Sequence, residues 1–87
     1  MKISIRRSFE KDSLKLSGFN QQKIAEIIED INHAKSLSEL TNCKKLTGYK
    51  NAYRIRIGDY RIGFFFTNNI VELVRVLPRK EMYRYFP

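Results

Sequence analysis

A short run near the middle of the chain carries the residues whose chemistry is easiest to interpret. In NAYRIRIGDYRIGFFF, residues 51–66, three arginines interrupt an otherwise apolar sequence: Arg54, Arg56 and Arg61. A hairpin that turns at Gly58–Asp59 would pair Arg56 with Arg61 and Arg54 with Gly63, which places the three arginines on one face. Like charges paired across strands are unfavourable by up to about 1 kcal/mol, and a phosphate held by guanidinium forks would offset that repulsion. The pattern leaves two interpretations open: an anion site with room for the ligand beside Gly63, or arginines that extend into water.

The end of the chain contributes a second group of cationic and aromatic side chains. Arg79 and Tyr83 are four positions apart in PRKEMYRYF, so they lie on one face of a helix, and Arg75 precedes them on a strand. A ring that stacks on a base beside an arginine that holds the phosphate is a combination suited to RNA. The alternative is an amphipathic helix end that merely packs, which accounts for Met82 and Phe86 better than for Tyr83.

Length and composition restrict the classes of protein to which the chain could belong. Its 87 residues suffice for one domain, residues 1–87, with a modest core. Seventeen Lys and Arg against nine Asp and Glu give a net charge of +8, which predicts attraction to phosphate or to an acidic partner. Cys43 is the only cysteine, which excludes an internal disulfide or a cysteine-based metal site and predicts a reducing cytoplasm. We expect neither a signal peptide nor a membrane span, because no segment is apolar enough.

Hydrophobic periodicity predicts the elements that must position these residues. KISIR, residues 2–6, alternates like a half-buried strand, and the run from Ser8 to Gly18 predicts a first helix. Asn20 would cap a second helix, with Phe19 packed against it as a hydrophobic staple. The apolar stripe of that helix consists of isoleucines spaced i, i+3, i+4 and i+7: Ile24, Ile27, Ile28 and Ile31.

The carboxyl half predicts a connection followed by a three-stranded meander. Residues 36–48 have the composition of a helical turn and a polar connection, which brings Lys44 and Lys45 to the strands. The order β, α, α, β, β, β with a terminal helical turn indicates an α+β fold. Two helices would cover one face of a mainly antiparallel four-stranded sheet, and the other face would stay open.

The register of the last strand depends on the loop at Asn68–Asn69. A two-residue loop would turn Arg75 toward the core, whereas a three-residue loop would turn it toward Arg61. We favour the three-residue loop because it keeps the charge outside the core. That loop would also bury three apolar residues: Ile70, Val74 and Val76.

Two long stretches, KKLTGYKNAYRIRIGDYRIGFFF and VRVLPRKEMYRYFP, closely resemble the RelE/ParE superfamily of bacterial toxins from toxin-antitoxin pairs. The resemblance rests on leucine-x-glycine, the alternating Y-R-I-R-I strand, G-D-Y-R and the final R-x-x-x-Y, in that order, and it extends to the amino half in layout. It implies the small RelE-like fold. It also implies an endoribonuclease that cuts messenger RNA in the ribosomal A site without metal or cofactor, using the 2′-hydroxyl of the RNA to attack the adjacent phosphate.

The resemblance further implies roles for individual residues. Arg61 and Arg79 would stabilise the charge of the transition state, Arg54 and Arg56 would orient the RNA backbone, and Tyr83 would stack on a base and polarise the 2′-hydroxyl. The sequence pattern adds further candidates for binding phosphate: Lys44, Lys45 and Arg75.

The chain departs from the family pattern at two places. Endoribonucleases of the RelE type often carry lysines where this chain has Arg54 and Arg56, and many relatives place histidine where this chain has Pro78. Arginine holds its proton firmly and is a poor general base at neutral pH. Catalysis would therefore depend on charge stabilisation and on the ribosome aligning the RNA.

The resemblance implies a cytoplasmic protein with two kinds of partner. One is a cognate antitoxin that covers the basic face with an acidic or apolar segment ordered on binding. The other is the ribosome with its messenger RNA; operator DNA would be reached only through the antitoxin. Two alternatives remain: a ParE-like toxin that arrests DNA gyrase by binding, and a catalytically weak or non-toxic RNA-binding relative.

Overall fold

A computed structural model describes residues Met1–Pro87 and contains five strands and three helices. The strands are β1 (Lys2–Ile5), β2 (Cys43–Lys45), β3 (Ala52–Ile57), β4 (Tyr60–Thr67) and β5 (Ile70–Pro78). The helices are α1 (Arg7–Leu14), α2 (Gly18–His33) and α3 (Arg79–Tyr85), with a 3-10 turn at Leu37–Glu39. The order of the elements is the expected one, apart from the additional strand β2.

The strands form one sheet in the order β1-β5-β4-β3-β2, in which β1 runs parallel to β5 and the other neighbours are antiparallel. The α+β class and the mainly antiparallel sheet are therefore confirmed. The expected count of four strands was wrong, because β2 lies within the segment predicted to be a polar connection. Three residues are too few for an alternating pattern to be recognised.

The β3–β4 hairpin has the predicted register. Arg56 pairs with Arg61 and Arg54 pairs with Gly63. The turn is Gly58–Asp59, and the φ of Gly58 is +58°, in the left-handed region that glycine adopts at little cost. The three arginines of the hairpin consequently project from one face of the sheet, and the isoleucines between them project from the other.

The β4–β5 connection differs from the prediction. Its loop has two residues, because Thr67 pairs with Ile70, and both Asn68 and Asn69 adopt left-handed φ values of 53° and 62°. Two such residues in succession form the turn that matches the twist of a hairpin. The expected three-residue loop was wrong, and Ile70 is exposed rather than buried.

A bulge in the middle of the same strand pair then changes the register. It lies between Gly63 and Phe64 and adds one residue to β5. Beyond the bulge Gly63 faces Arg75, which is the pairing that a three-residue loop would have given. Val74 and Val76 are both buried as expected, but they belong to separate hydrophobic clusters.

Helix α2 packs its isoleucine stripe against the sheet. Ile24 and Ile31 are buried, and Ile27 and Ile28 pack against the same core, which confirms the predicted stripe. The buried residues of this core come from both long helices and from β3, β4 and β5: Phe9, Ile24, Ile31, Ile55, Ile57, Ile62, Phe64, Val71, Leu73 and Val76. None of the helices combines the length and the apolar character needed to cross a lipid bilayer.

The start of α2 corrects one prediction. Its N-cap is Ser17, whose side chain accepts a hydrogen bond from the backbone N–H of Asn20. Asn20 is therefore a residue of the first turn and not the cap. Phe19, expected to act as a staple, is 70% exposed.

The opposite face of the sheet is partly covered rather than open. Helix α3 folds back over it and buries Met82 and Phe86 in a second, smaller hydrophobic cluster, whose other members are Ala52, Val74 and Leu77. The Phe86 ring lies directly over Gly63: a Cβ built on Gly63 would come within 2.5 to 2.8 Å of three ring atoms. The expectation that Gly63 leaves room for a ligand was wrong, because this aromatic ring occupies the space.

A buried carboxylate completes the edge of β5 that β1 leaves unpaired. Asp12 of α1 is 7% exposed. Its Oδ2 accepts hydrogen bonds from the backbone N–H of Val76 at 3.1 Å and from Nε of Arg75 at 2.7 Å, and its Oδ1 accepts one from Nη2 of Arg75 at 3.1 Å. Ser8 reinforces the same edge by donating from Oγ to the carbonyl of Val74. Two side chains of α1 thus bind the backbone of this edge where no neighbouring strand does.

The contact between Gly63 and Phe86 yields a first prediction. We expect Gly63→Ala to lower the free energy of unfolding by about 1 to 3 kcal/mol, because the added methyl group overlaps the buried ring. Urea denaturation measures the change. Gly18→Ala is the matched control, since nothing lies within 4 Å of a Cβ at that helical position; equal destabilisation of both variants would contradict the overlap.

The carboxylate edge yields a second prediction. We expect Asp12→Ala to cost about 2 to 3 kcal/mol of unfolding free energy, because it leaves both Arg75 and the N–H of Val76 without their acceptor. Glu72→Ala removes a more exposed ion pair with Arg6 and should cost less than about 1 kcal/mol. Chemical denaturation of both variants tests the ranking, and similar midpoints would refute the role of Asp12.

Candidate nucleic-acid interface

Arg61 lies at the centre of the basic face and is buried. The residue is only 7% exposed. Its Nη1 donates hydrogen bonds to the carbonyl oxygens of Gly58 at 2.9 Å and of Tyr60 at 2.8 Å, which fixes the guanidinium against the β3–β4 turn. Its Nε is buried and has no hydrogen-bond partner. An unpaired buried polar group is costly, and a bound anion would offset this cost through the charge of the guanidinium.

No carboxylate compensates the charge of Arg61. The pKa of Arg61 is lowered from its ordinary value, first because burial desolvates the guanidinium and then because the positive charges of Arg54, Arg56 and Arg79 lie nearby. The ion pairs of the protein are Arg6–Glu72, His33–Glu29 and Arg75–Asp12, so none includes these four residues. We call Arg54, Arg56, Arg61 and Arg79 the arginine cluster; its mutual repulsion would be relieved by a phosphate.

Strand β2 contributes one lysine to each face of the sheet. Lys44 pairs with Arg54, and Lys45 pairs with Tyr53. Lys44 therefore lies on the face of the arginine cluster, whereas the Cβ of Lys45 points to the face that carries α2. Of the two lysines predicted to bind phosphate, the structure brings Lys44 beside the cluster.

Helix α3 supplies Arg79 and Tyr83. The backbone N–H of Arg79 donates to the carbonyl of Asp59 at 2.9 Å, which ties the start of the helix to the same turn that holds Arg61. Met82 is completely buried, whereas Tyr83 is 65% exposed. Tyr83 also lies close enough to Arg61 to influence its pKa, in the upward direction. A ligand on the cluster would therefore meet the Tyr83 ring.

Arg75, predicted to join the basic site, lies outside it. Its guanidinium makes two hydrogen bonds to Asp12, which with the charge of that carboxylate raises the pKa of Arg75. Its guanidinium carbon also lies 5.9 Å from the centre of the Tyr85 ring. The bulge sets Arg75 opposite Gly63, but the ion pair with Asp12 neutralises its charge, so Arg75 forms no part of the arginine cluster.

The cluster contains no imidazole or thiol. His33 is on α2, where its Nε2 lies 2.8 Å from Oε1 of the exposed Glu29. Cys43 pairs with Ile55 on the core face, and burial raises the pKa of its thiol, which disfavours the reactive thiolate. The arrangement is therefore suited to holding an anion and stabilising added negative charge, and less suited to removing a proton.

A groove of 410 Å³ continues from the cluster toward the loop between β2 and β3. Its lining consists of Lys44, Lys45, Leu46, Thr47, Tyr49, Arg54, Tyr83, Phe86 and Pro87. Lys45 borders it from the edge strand. Tyr49, which is 51% exposed, was not predicted to belong to a site. Its position between Gly48 and Lys50 in a polar loop was a signal that could have indicated it.

Comparisons with known proteins agree on one family. A family model described as ParE toxin of type II toxin-antitoxin system, parDE, matches residues 3–83. Toxin RelE3 of Methanocaldococcus jannaschii is 41% identical over 88 residues, covering 100% of both chains.

Solved structures give the same result. The toxin-antitoxin complex RelB-RelE from Methanococcus jannaschii contains a chain that is 38% identical, with a TM-score of 0.83, covering 97% of this chain and 99% of that one. A chain of the archaeal RelE-RelB complex from Pyrococcus horikoshii shares the fold, with 21% identity and a TM-score of 0.75 over 90% of this chain and 93% of that one.

The guanidinium of Arg61, which has no carboxylate partner, yields a third prediction. We expect inorganic phosphate to stabilise the folded protein, by about 1.4 kcal/mol at ten times its dissociation constant, which for a small domain raises the melting temperature by several degrees. Thermal denaturation in phosphate and in chloride of equal ionic strength measures the difference. Arg61→Gln should abolish it, whereas Lys11→Gln, which removes one exposed charge from α1, should preserve it; an unchanged phosphate effect in Arg61→Gln would place the anion elsewhere.

Proposed function

This chain belongs to the RelE/ParE superfamily of type II toxins, and from that premise we propose that it is a ribosome-dependent endoribonuclease that cuts messenger RNA. The observation that carries the proposal is the buried guanidinium of Arg61, which has a free Nε and no carboxylate partner. RNA supplies the phosphate that this site lacks. The 41% identical relative is a toxin of the RelE type, which favours RNA over DNA gyrase as the target.

In the proposed reaction the 2′-oxygen of a nucleotide attacks the adjacent phosphorus. The bond from phosphorus to the 5′-oxygen of the next nucleotide breaks, which leaves a cyclic phosphate on one fragment and a 5′-hydroxyl on the other. The proton of the 2′-hydroxyl leaves during the attack, and the departing 5′-oxygen gains one. The pentacoordinate transition state carries more negative charge than the phosphodiester, so preorganised cations accelerate the reaction.

The proposed roles of the cluster residues follow from how each one is held. Arg61 is held rigidly by two backbone carbonyls, and Arg79 is anchored at the same turn; these two would bind the non-bridging oxygens of the phosphate. Arg54 and Arg56 would orient the neighbouring backbone. The exposed ring of Tyr83 would stack on a base and place its hydroxyl near the reacting 2′-oxygen.

Proton removal is the step to which this chain contributes least. Arginine stays protonated at neutral pH, so Arg54 and Arg56 cannot act as bases where other cutters carry lysine. Tyr83 can polarise the 2′-hydroxyl, and water or the ribosome would accept the proton. The proposed enzyme therefore works mainly by alignment and charge stabilisation.

A cognate antitoxin would neutralise this toxin by covering the basic face. The relative in the RelB-RelE complex is seen with its antitoxin, and a chain of net charge +8 attracts an acidic segment. Such a segment would compete with RNA for the arginine cluster. Operator DNA would be contacted only through the antitoxin, and the site of action would be the cytoplasm, where messages are translated.

The proposal yields a fourth prediction. We expect Arg61→Ala and Arg79→Ala each to lower the cleavage rate of a translated message by at least about 100-fold, the usual loss when one preorganised donor is removed. Primer extension on messages from a reconstituted translation reaction reports the cuts. Lys11→Ala, a surface charge on α1, should cleave at the wild-type rate.

Intact messages during toxin-induced growth arrest would overturn the proposal. DNA breaks that depend on gyrase, with toxicity retained in Arg61→Ala, would instead identify a ParE-like toxin. Expression without growth arrest would identify a non-toxic RNA-binding relative.

A further inference from the structure

The groove beside α3 has a composition that the proposed reaction does not require. Besides Arg54 and Tyr83 it contains Lys44 and a second exposed aromatic residue, Tyr49. We propose that this groove binds one unpaired nucleotide of the message next to the cleaved phosphate, with Tyr49 as a base-stacking residue. The inference rests on the proposed function and adds to it a nucleotide subsite.

The loop between β2 and β3 holds Tyr49 in a defined position. The backbone N–H of Leu46 donates to the carbonyl of Ala52 at 2.8 Å, and the N–H of Tyr49 donates to the carbonyl of Leu46 at 3.4 Å. Gly48 adopts a φ of +89° between them, a conformation that glycine permits and other residues rarely adopt. The chain therefore makes a tight turn, which Tyr49 closes with its backbone N–H while its ring stays 51% exposed.

The base of this loop is fixed to the sheet as well. Nδ2 of Asn51 donates to Oγ1 of Thr67 at 3.2 Å, and the N–H of Phe66 donates to the carbonyl of Asn51 at 2.9 Å. A ring carried on an anchored loop loses little conformational entropy when a ligand stacks on it.

The charge of the groove selects an anionic ligand. Its lining includes Lys44, Lys45 and Arg54 but no Asp or Glu. Two other cavities of the protein differ in this respect. One carries Glu26, Asp30 and Glu39, and the other carries Asp12 and Glu81.

The aromatic residues distinguish a nucleotide from a simple anion. Tyr49 and Tyr83 are 51% and 65% exposed, and both line the same groove, whose apolar floor includes Leu46 and Phe86. Aromatic rings beside basic residues are the usual means of holding an unpaired base with its phosphate. Arg54 is shared with the arginine cluster, so the groove is continuous with the proposed cleavage site. A nucleotide adjacent to the scissile phosphate could therefore occupy the groove while that phosphate stays on the arginine cluster.

The test combines two Tyr49 variants with modified messages. We expect Tyr49→Ala to lower kcat/KM for ribosomal cleavage about tenfold and Tyr49→Phe to lower it less than twofold, because stacking needs the ring and not the hydroxyl. An abasic nucleotide placed at each position of the codon in turn should lower wild-type cleavage. At one codon position, the abasic substitution should lower the cleavage rate of the wild type but not that of Tyr49→Ala. A purely structural defect would not produce this coupling.

Two controls keep the outcome interpretable. Tyr85→Ala removes an exposed tyrosine of α3 that lies outside the groove, and it should cleave like the wild type. Fluorescence anisotropy with a short single-stranded RNA measures binding without cleavage, and Tyr49→Ala should weaken that binding about tenfold at fixed salt.

The outcomes separate this inference from the proposed function. Cleavage that depends on Arg61 but is unchanged in Tyr49→Ala would overturn the subsite and leave the nuclease intact. A wild-type protein that cuts no message would overturn the nuclease, and equal RNA binding by wild type and Tyr49→Ala would then overturn the subsite too. Tyr49→Ala could instead bind RNA like the wild type but form a weaker complex with a co-expressed acidic partner. That result would assign the groove to a protein partner.

Discussion

The bond between Asp12 and the free edge of β5 determines how the rest of this small protein is arranged. Strand β1 pairs only with Ile70–Leu73, and from Val74 onward the edge is completed by side chains of α1. The same carboxylate holds Arg75 and so removes one cation from the basic face. Together with the pairing to β4 it also fixes the part of β5 that leads to Pro78. The start of α3, and with it Arg79, is placed by that part of the strand.

The arginine cluster destabilises the protein that carries it. Burial and the neighbouring cations both disfavour the charged form of Arg61, yet backbone carbonyls hold it in place. Such strain at a site is common where a ligand supplies the missing charge. A phosphate from RNA and a carboxylate from an antitoxin would relieve the same repulsion. RNA and antitoxin would therefore compete for the same uncompensated positive charge.

The parts of the structure governed by local pattern were predictable, and those governed by distant contacts were not. The register of Arg54, Arg56 and Arg61 follows from alternation and a glycine turn within one hairpin. The position of Arg75 depends on Asp12, 63 residues away, and the space at Gly63 depends on Phe86; neither partner is visible in a short window. Ser17 and Asn20 are both good helix caps, and one helical turn separates them, so pattern alone could not choose. Strand β2 was too short to recognise.

The sheet order has a consequence for how the chain folds. Strands β2 to β5 are neighbours both in sequence and in the sheet, so their pairings are local, whereas β1 and α1 join β5 across 63 to 68 residues. Local pairings form first, because closing a long loop costs more entropy. Three members of the arginine cluster, Arg54, Arg56 and Arg61, lie within the locally paired strands, whereas the Asp12 bond spans 63 residues. We therefore expect repulsion among these three arginines to slow folding, and the contacts of the amino-terminal segment to slow unfolding instead.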